Sequence, residues 1–285
     1  MSPRLKSVLL LVLAATLWST SGVLIKSIQW TPLALSSVRG LLAAITIAVI
    51  LPGGFKIKSL TKGHIAAALC LAAMSSVFVL AMKMAPAANV TVLQYTAPLW
   101  VAVLAPLILR ERTAGRDWLF MGLIFGGVVL FFIDGLSMEG FWGNILGILS
   151  GLFFGAQAIA LRRIKNDSPA QAIILGNFFA FVIGLPTWSS PFPDLQGVGL
   201  MIVLGVGQMG LAYFVYSLAV PRVTSLELVL IPMLEPIICP IWVLIFLGEV
   251  PGPWAIVGGI IVIVSVILWN AIKAREASKL MKPVT

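Results

Sequence analysis

Charge is scarce in this chain: 10% of its 285 residues are Asp, Glu, Lys or Arg, against about a quarter in an ordinary soluble domain. So few ionisable side chains cannot cover a water-facing surface, which excludes a soluble globular protein. There is one histidine, His64, and only two cysteines, Cys70 and Cys239. Both cysteines fall inside apolar runs, so neither a disulfide nor a metal site is expected. No glycine-rich loop could cradle a phosphate, and no serine or cysteine is paired with a base. These absences count against an ATP-driven pump and a metal-dependent membrane enzyme. No cofactor, metal or catalytic residue is expected. A membrane-embedded enzyme or lipid-handling protein, the reading of another class, would need a catalytic constellation that this sequence does not display.

What is present is apolar: 60% of the residues are hydrophobic, and the mean hydropathy is +1.08. Ten runs are long enough to span, or nearly span, a hydrocarbon core. They are Val8–Ile28, Pro32–Leu51, His64–Met82, Ala87–Leu109, Trp118–Ile133, Gly143–Leu161, Ala170–Trp188, Val198–Ala219, Val223–Leu247 and Trp254–Ile272. All are expected to be helices, because an open strand edge cannot be satisfied in lipid. No cleavable leader is expected, since Arg4 and Lys6 lead directly into a run of spanning length.

The net charge of +9 invites a nucleic-acid partner, but the positives lie between apolar runs and are better explained by orientation in the bilayer. With the N-terminus inside, the inner segments hold 16 of the 19 Lys and Arg, from Arg4 and Lys6 through Arg110, Arg112, Arg162 and Arg222 to Lys282. The outer loops hold acids instead, Asp134, Glu139 and Asp194. Both termini are therefore expected inside, in the cell (inner) membrane, with the lipid bilayer as partner and no nucleic acid.

One short pattern occurs twice. Pro98 stands thirteen residues before Glu111, and Pro236 thirteen before Glu249. A shift of 138 also superposes Leu80-Ala81 on Leu218-Ala219, and a shift of 136 aligns Trp118 with Trp254. Five helices per half is an odd number, so the second copy enters the membrane inverted, as in many transporters. The expected fold is an all-α membrane protein of ten transmembrane helices in two inverted five-helix repeats, residues 1–138 and 139–285. Glu111 and Glu249 then end on opposite faces and read as marks of helix ends. Gly147, Gly151 and Gly155, like Gly122 and Gly126, allow close backbone approach, either within the bundle or at a dimer face.

Charges inside spanning runs cost about 2.5–3.5 kcal/mol each on insertion scales, so each needs a partner or a wet cavity. Glu235 lies mid-helix directly before Pro236, where the proline frees carbonyl groups. It reads as a protonatable or substrate-contacting carboxylate, or as a bridge between helices. Arg39 cannot shed its charge and must meet an acid, helix carbonyls or an anionic ligand. Lys26 and Lys83, near outer helix ends, are expected to snorkel to the interface. His64 reads as interfacial, and Glu227 as suited to a helix N-terminus. Trp18, Ser19, Asn89, Gln94 and Tyr95 in the first half, and Gln157, Asn177, Gln208, Tyr213 and Tyr216 in the second, could orient a ligand or bond helix to helix.

Leu17-Trp18-Ser19, Arg39, Pro98…Glu111, Leu234-Glu235-Pro236 and Leu247-Gly248-Glu249 together resemble the drug/metabolite transporter superfamily, specifically its EamA-type ten-helix members. The resemblance spans essentially the whole chain. It implies a carrier with a central cavity lined by helices one to four and six to nine, helices five and ten being peripheral. Such carriers move amino acids, other metabolites or drugs, often outward, by uniport, exchange or proton coupling. Leu-Glu-Pro is common in the second half of such proteins, so Glu235 matches a family feature. Arg110-Glu111 departs from the Gly-Glu form, with no functional consequence expected.

The combined expectation is a secondary carrier for a small polar metabolite such as an amino acid, an exporter or exchanger working by alternating access. Its substrate site would comprise Arg39, Glu235, Trp18, Gln94, Tyr95, Asn177 and Tyr213, with Pro98 and Pro236 as hinges. Protons are a candidate coupling ion, and the state is monomer or homodimer. The closest alternative is an exporter of cationic or amphipathic drugs.

Overall fold

The computed structural model describes residues 3–56, 60–85, 87–111, 113–131, 133, 140–188, 192–235, 237–238 and 252–280. Pro236, Cys239, Glu249, Arg112, Asp134, Glu139 and Lys282 lie outside the described residues, as does the side chain of Lys26. Among the described residues there is no strand. Six helical stretches are long and apolar enough to cross a membrane, and two shorter apolar ones span Ser225–Leu234 and Ile256–Ile272. The chain is a multi-pass, all-helical membrane protein.

The N-terminal half runs α1 (Pro3–Trp18), α2 (Ser21–Ser27), α3 (Pro32–Ile50), α4 (Lys62–Met84), α5 (Ala87–Gln94), α6 (Ala97–Ile108) and α7 (Gly115–Phe131). The C-terminal half runs α8 (Phe141–Arg163), α9 (Pro169–Gly184), α10 (Leu195–Ile202), α11 (Ala212–Ala219), α12 (Ser225–Leu230) and α13 (Pro253–Leu280). Local signals set many of the starts. Pro32 and Pro169 occupy the first helical turn of α3 and α9, where a missing N–H costs nothing. Thr61 and His64 form a reciprocal cap on α4, and Thr224 and Glu227 do the same on α12, satisfying amides that no turn of helix can reach.

Four of the apolar runs are not continuous helices, which their composition alone does not reveal. The first breaks at Ser19 and Thr20, whose hydroxyls bond back to the carbonyls of Thr16 (2.6 Å) and Leu17 (2.9 Å). The fourth breaks at Tyr95 and Thr96, with the Thr96 hydroxyl on the Leu93 carbonyl at 2.7 Å. There Pro98, in the first turn of α6, has no N–H to continue the ladder. The eighth passes through a π-helical stretch, Val203–Leu211, between α10 and α11. The ninth tightens into a 3-10 turn at Ile231–Leu234, around Pro232. Hydroxyls and prolines make such breaks tolerable because they re-satisfy or remove the freed backbone groups.

In the packed bundle, α4 lies against α8 and α9, α3 against α9 and the π-helical stretch, and α1 against α11. Helices α7 and α13 pack on each other at the edge, with Leu119, Ile260 and Ile267 turned outward. The glycine stripe of α8 is consumed inside the protein. A Cβ on Gly151 would meet Thr96 Oγ1 at 2.6 Å and the Gln94 carbonyl at 2.8 Å, and one on Gly155 the Ala97 carbonyl at 3.0 Å. These small residues therefore seat α8 against the break between α5 and α6. Gly122 and Gly126 face open space.

Candidate functional site

The four irregular segments converge on one cavity. Trp18 and Ser21 flank the break in the first run, Gln94 and Tyr95 the break in the fourth, Gln208 and Met209 ride the π-helical stretch, and Glu235 follows the 3-10 turn; all line it. The rest is closed by Arg39 on α3, Met74, Ser75 and Phe78 on α4 and Phe154 on α8, and by Tyr213 on α11, just past the π-helical stretch. Discontinuous helices meeting at mid-depth are a recurrent way for transporters to present polar groups in lipid.

Arg39 is the electrostatic centre of this space. It is only 4% exposed, seven residues into α3, about 10 Å from the helix start at 1.5 Å per residue. Its Nη2 donates to Ser75 Oγ at 2.7 Å, while its Nε finds no partner. A guanidinium this deep with one neutral acceptor has donor capacity left over. Glu235 lines the same cavity and attracts Arg39 through it, but no direct ion pair joins the two. The carboxylate is held instead by Tyr95, whose Oη donates to Oε2 at 2.9 Å, and Ser21 is a further hydrogen-bonding neighbour. Arg39 and Glu235 thus face one space, each held by a neutral hydroxyl neighbour.

The rest of the wall is aromatic and sulfur-rich. The Trp18 ring meets Tyr213 at 5.0 Å, Tyr216 at 5.3 Å and Phe154 at 6.4 Å, between centroids. Gln208 Nε2 points back to the Trp18 carbonyl at 3.4 Å, and its Oε1 is without a partner. Gln94 Nε2 donates to Ser150 Oγ at 2.8 Å. Free space at the centre is about 60 Å³, against roughly 300–1,000 Å³ for a pocket enclosing a small organic ligand.

Of the seven expected substrate-site residues, Arg39, Glu235, Trp18, Gln94, Tyr95 and Tyr213 share this cavity, and Asn177 does not line it. Asn177 is buried in α9, its amide bonding to the Ile173 carbonyl at 2.9 Å. There its backbone carbonyl lies where a Cβ on Gly40 would meet it at 2.6 Å. Pro98 is buried in the first turn of α6, whereas Pro236 lies outside the described residues. Lys83 is exposed and away from the cavity. His64 is fully buried, its Nε2 within 2.6 Å of the Asp167 carbonyl and its Nδ1 on Thr61. Ser75 was not among the expected residues, although a serine pair at 75–76 within an apolar run is a polar signal of the same kind as those that were. No group of three or more metal-ligating side chains occurs among the described residues.

The EamA-like transporter family model matches this chain twice, over residues 5–133 and 141–271. The chain belongs to the EamA-like transporter family. An uncharacterized protein of Pseudomonas aeruginosa is 25% identical over 97% of this chain and 100% of its own length. The uncharacterized transporter YwfM of Bacillus subtilis is 23% identical over 94% of this chain and 95% of its own. An uncharacterized transporter of Helicobacter pylori matches a shorter stretch, 32% identical over 108 residues, or 38% of this chain and 36% of its own. A solved crystal structure 17% identical in sequence has the same fold, with a TM-score of 0.77 over 92% of this chain and 96% of that one. The EamA-like chain is thus a membrane transporter whose two matched stretches both contribute to the cavity.

Proposed function

We propose that this protein is a secondary carrier for a small polar metabolite carrying a carboxylate and an amine, such as an amino acid. The observation that carries this reading is Arg39: buried, permanently charged, with an unpartnered Nε in a cavity that also holds Glu235. A substrate carboxylate would complete the guanidinium, and a substrate ammonium would answer Glu235, so a zwitterion satisfies both without net charge burial. Transport proceeds by alternating access between two inverted repeats, residues 1–138 and 139–285, bending near Pro98 and Pro236. The protein sits in the cell membrane with both termini cytoplasmic, working as an exporter or exchanger, with protons as the candidate coupling ion through Glu235.

The test is counterflow in proteoliposomes against a panel of labelled amino acids. Arg39→Ala should abolish uptake while leaving folded protein, and flux unchanged from wild type would remove Arg39 from the site. Glu235→Gln should uncouple flux from an imposed pH gradient, whereas an unaltered gradient dependence would exclude proton coupling there. The aromatic wall around Trp18 and the carboxylate of Glu235 favour a second reading, export of organic cations. The two separate on substrate charge, because Arg39 repels a cation, and its replacement by Ala should then raise cation flux.

A further inference from the structure

Glu111 ends the first copy of the repeated Pro…Glu pattern and does not line the cavity, yet both of its carboxylate oxygens are engaged across the protein. Oε1 accepts from Arg162 Nε at 2.8 Å. Oε2 accepts from the Ser225 amide at 3.0 Å and its hydroxyl at 2.7 Å. Arg162 Nη1 continues to the carbonyls of Pro221 (3.2 Å) and Val220 (3.4 Å). One carboxylate therefore ties the end of α6 to the C-terminus of α8, the N-terminus of α12 and the connection between α11 and α12. Glu111 falls in the first family-matched stretch, and Arg162 and Ser225 in the second.

This tie sits beyond the cavity on two of the segments that line it. Val220 is seven residues from Tyr213 and Ser225 ten from Glu235, about 10–15 Å at helical rise. Parting the α11–α12 connection from α6 and α8 would open a route to the basic face, and it must break these bonds. The same face carries an Arg4–Glu227 ion pair and a Gln171 side chain bridging the Gly54 carbonyl (3.0 Å) and the Lys56 amide (3.0 Å). Toward the other face, neutral groups tie the halves, among them Trp188 Nε1 to Ser37 Oγ at 3.1 Å, Ser37 Oγ to the Phe181 carbonyl at 2.9 Å and Asn89 Nδ2 to Asn144 Oδ1 at 3.0 Å. Burial raises the Glu111 carboxyl pKa, but its bonds to Arg162 and Ser225 outweigh that and hold it below the ordinary glutamate value, so the charge-assisted bonds are intact at neutral pH.

We propose that Glu111, Arg162 and Ser225 form a lock that keeps the carrier closed on its basic face and must open once in each transport cycle. The lock rests on the alternating-access reading above. It differs from a helix cap in one measurable respect: releasing a lock shifts a population between two states, so one face loosens while the other tightens.

Hydrogen–deuterium exchange on the full chain in lipid nanodiscs, without added ligand, tests this. In Glu111→Gln, exchange across 220–228 should rise about tenfold, the weight of a hydrogen bond to a charged group, while exchange across 28–33 and 185–188 falls. Ser225→Ala, which leaves the Arg162 ion pair and the backbone bond in place, should give the same reciprocal change at smaller amplitude. It serves as the readout if Glu111→Gln does not fold. A rise at 220–228 with the opposite face unchanged would reduce the tie to a local cap and overturn the lock, as would no rise at all. Because the exchange needs no substrate, a failed lock leaves the carrier reading standing. Counterflow absent for every panel member would instead remove the carrier reading.

Discussion

Tyr95 and Glu235 meet across the two halves of the protein, the phenol donating to the carboxylate at 2.9 Å. Each sits at an irregularity, Tyr95 at the break between α5 and α6 and Glu235 just after the 3-10 turn of the ninth run. The contact therefore joins the break that precedes Pro98 to the 3-10 turn that contains Pro232.

Tyr95→Phe removes this donor and leaves ring packing in place. The expected loss is about 1 kcal/mol of stability, since hydrogen bonds between membrane helices average less than their strength in isolation suggests. Thermal unfolding of the purified variant measures it. Counterflow should slow as well, because the Glu235 carboxylate is freed to turn toward Arg39.

Arg39→Lys preserves the charge but not the fork. An ammonium cannot hold Ser75 and still present a second donor in the same plane, so the apparent affinity for a carboxylate-bearing substrate should weaken at least about tenfold, equivalent to ~1.4 kcal/mol. A substrate-affinity titration in proteoliposomes decides it, and wild-type affinity would mean that the guanidinium geometry is not read.

Gly151→Ala and Gly122→Ala form a matched pair. The first places a Cβ 2.6 Å from Thr96 Oγ1 and should cost about 1–3 kcal/mol, as overpacking does. The second meets nothing within 4 Å and should be neutral or stabilise by up to about 1 kcal/mol through helix propensity. Equal melting temperatures for the two variants would contradict the packing of α8 on the α5–α6 break.

Glu111 predicts a pH dependence of a definite sign. Its folded-state pKa is lowered, so its contribution to stability is complete above the unfolded glutamate value of about 4.3. It is lost as pH falls through the lower folded value. The stability difference between wild type and Glu111→Gln, followed by thermal unfolding from pH 7 downward, should stay level to about pH 5 and shrink below pH 4.

Much of this was legible from residue types alone. The membrane class followed from too little charge, and the two-copy organisation from Pro98…Glu111 set beside Pro236…Glu249. Arg39 and Glu235 stood out because charge inside an apolar run is costly and needs a reason. Glu227, read as a helix N-terminal acid, caps α12 and also pairs with Arg4.

Other features depend on distances between segments that no local pattern encodes. Asn177 has the same polar character as Gln208, yet one packs in the α3–α9 interface and the other borders the cavity, because helix rotation decides which face is dry. Gly151 in a four-residue repeat fits a dimer seam or an internal one, and only the nearby Gln94 carbonyl decides for the internal one. Likewise Glu111, alone in sequence at a helix end, becomes a tie across the halves only when Arg162 and Ser225 are folded against it. The sequence by itself determined that these helices lie in a membrane and where their charges are anomalous, since burial energy depends on residue type. The tertiary structure decided which of those groups share a cavity and which bind the two halves, since hydrogen bonds and close packing depend on spatial contacts between segments remote in the chain.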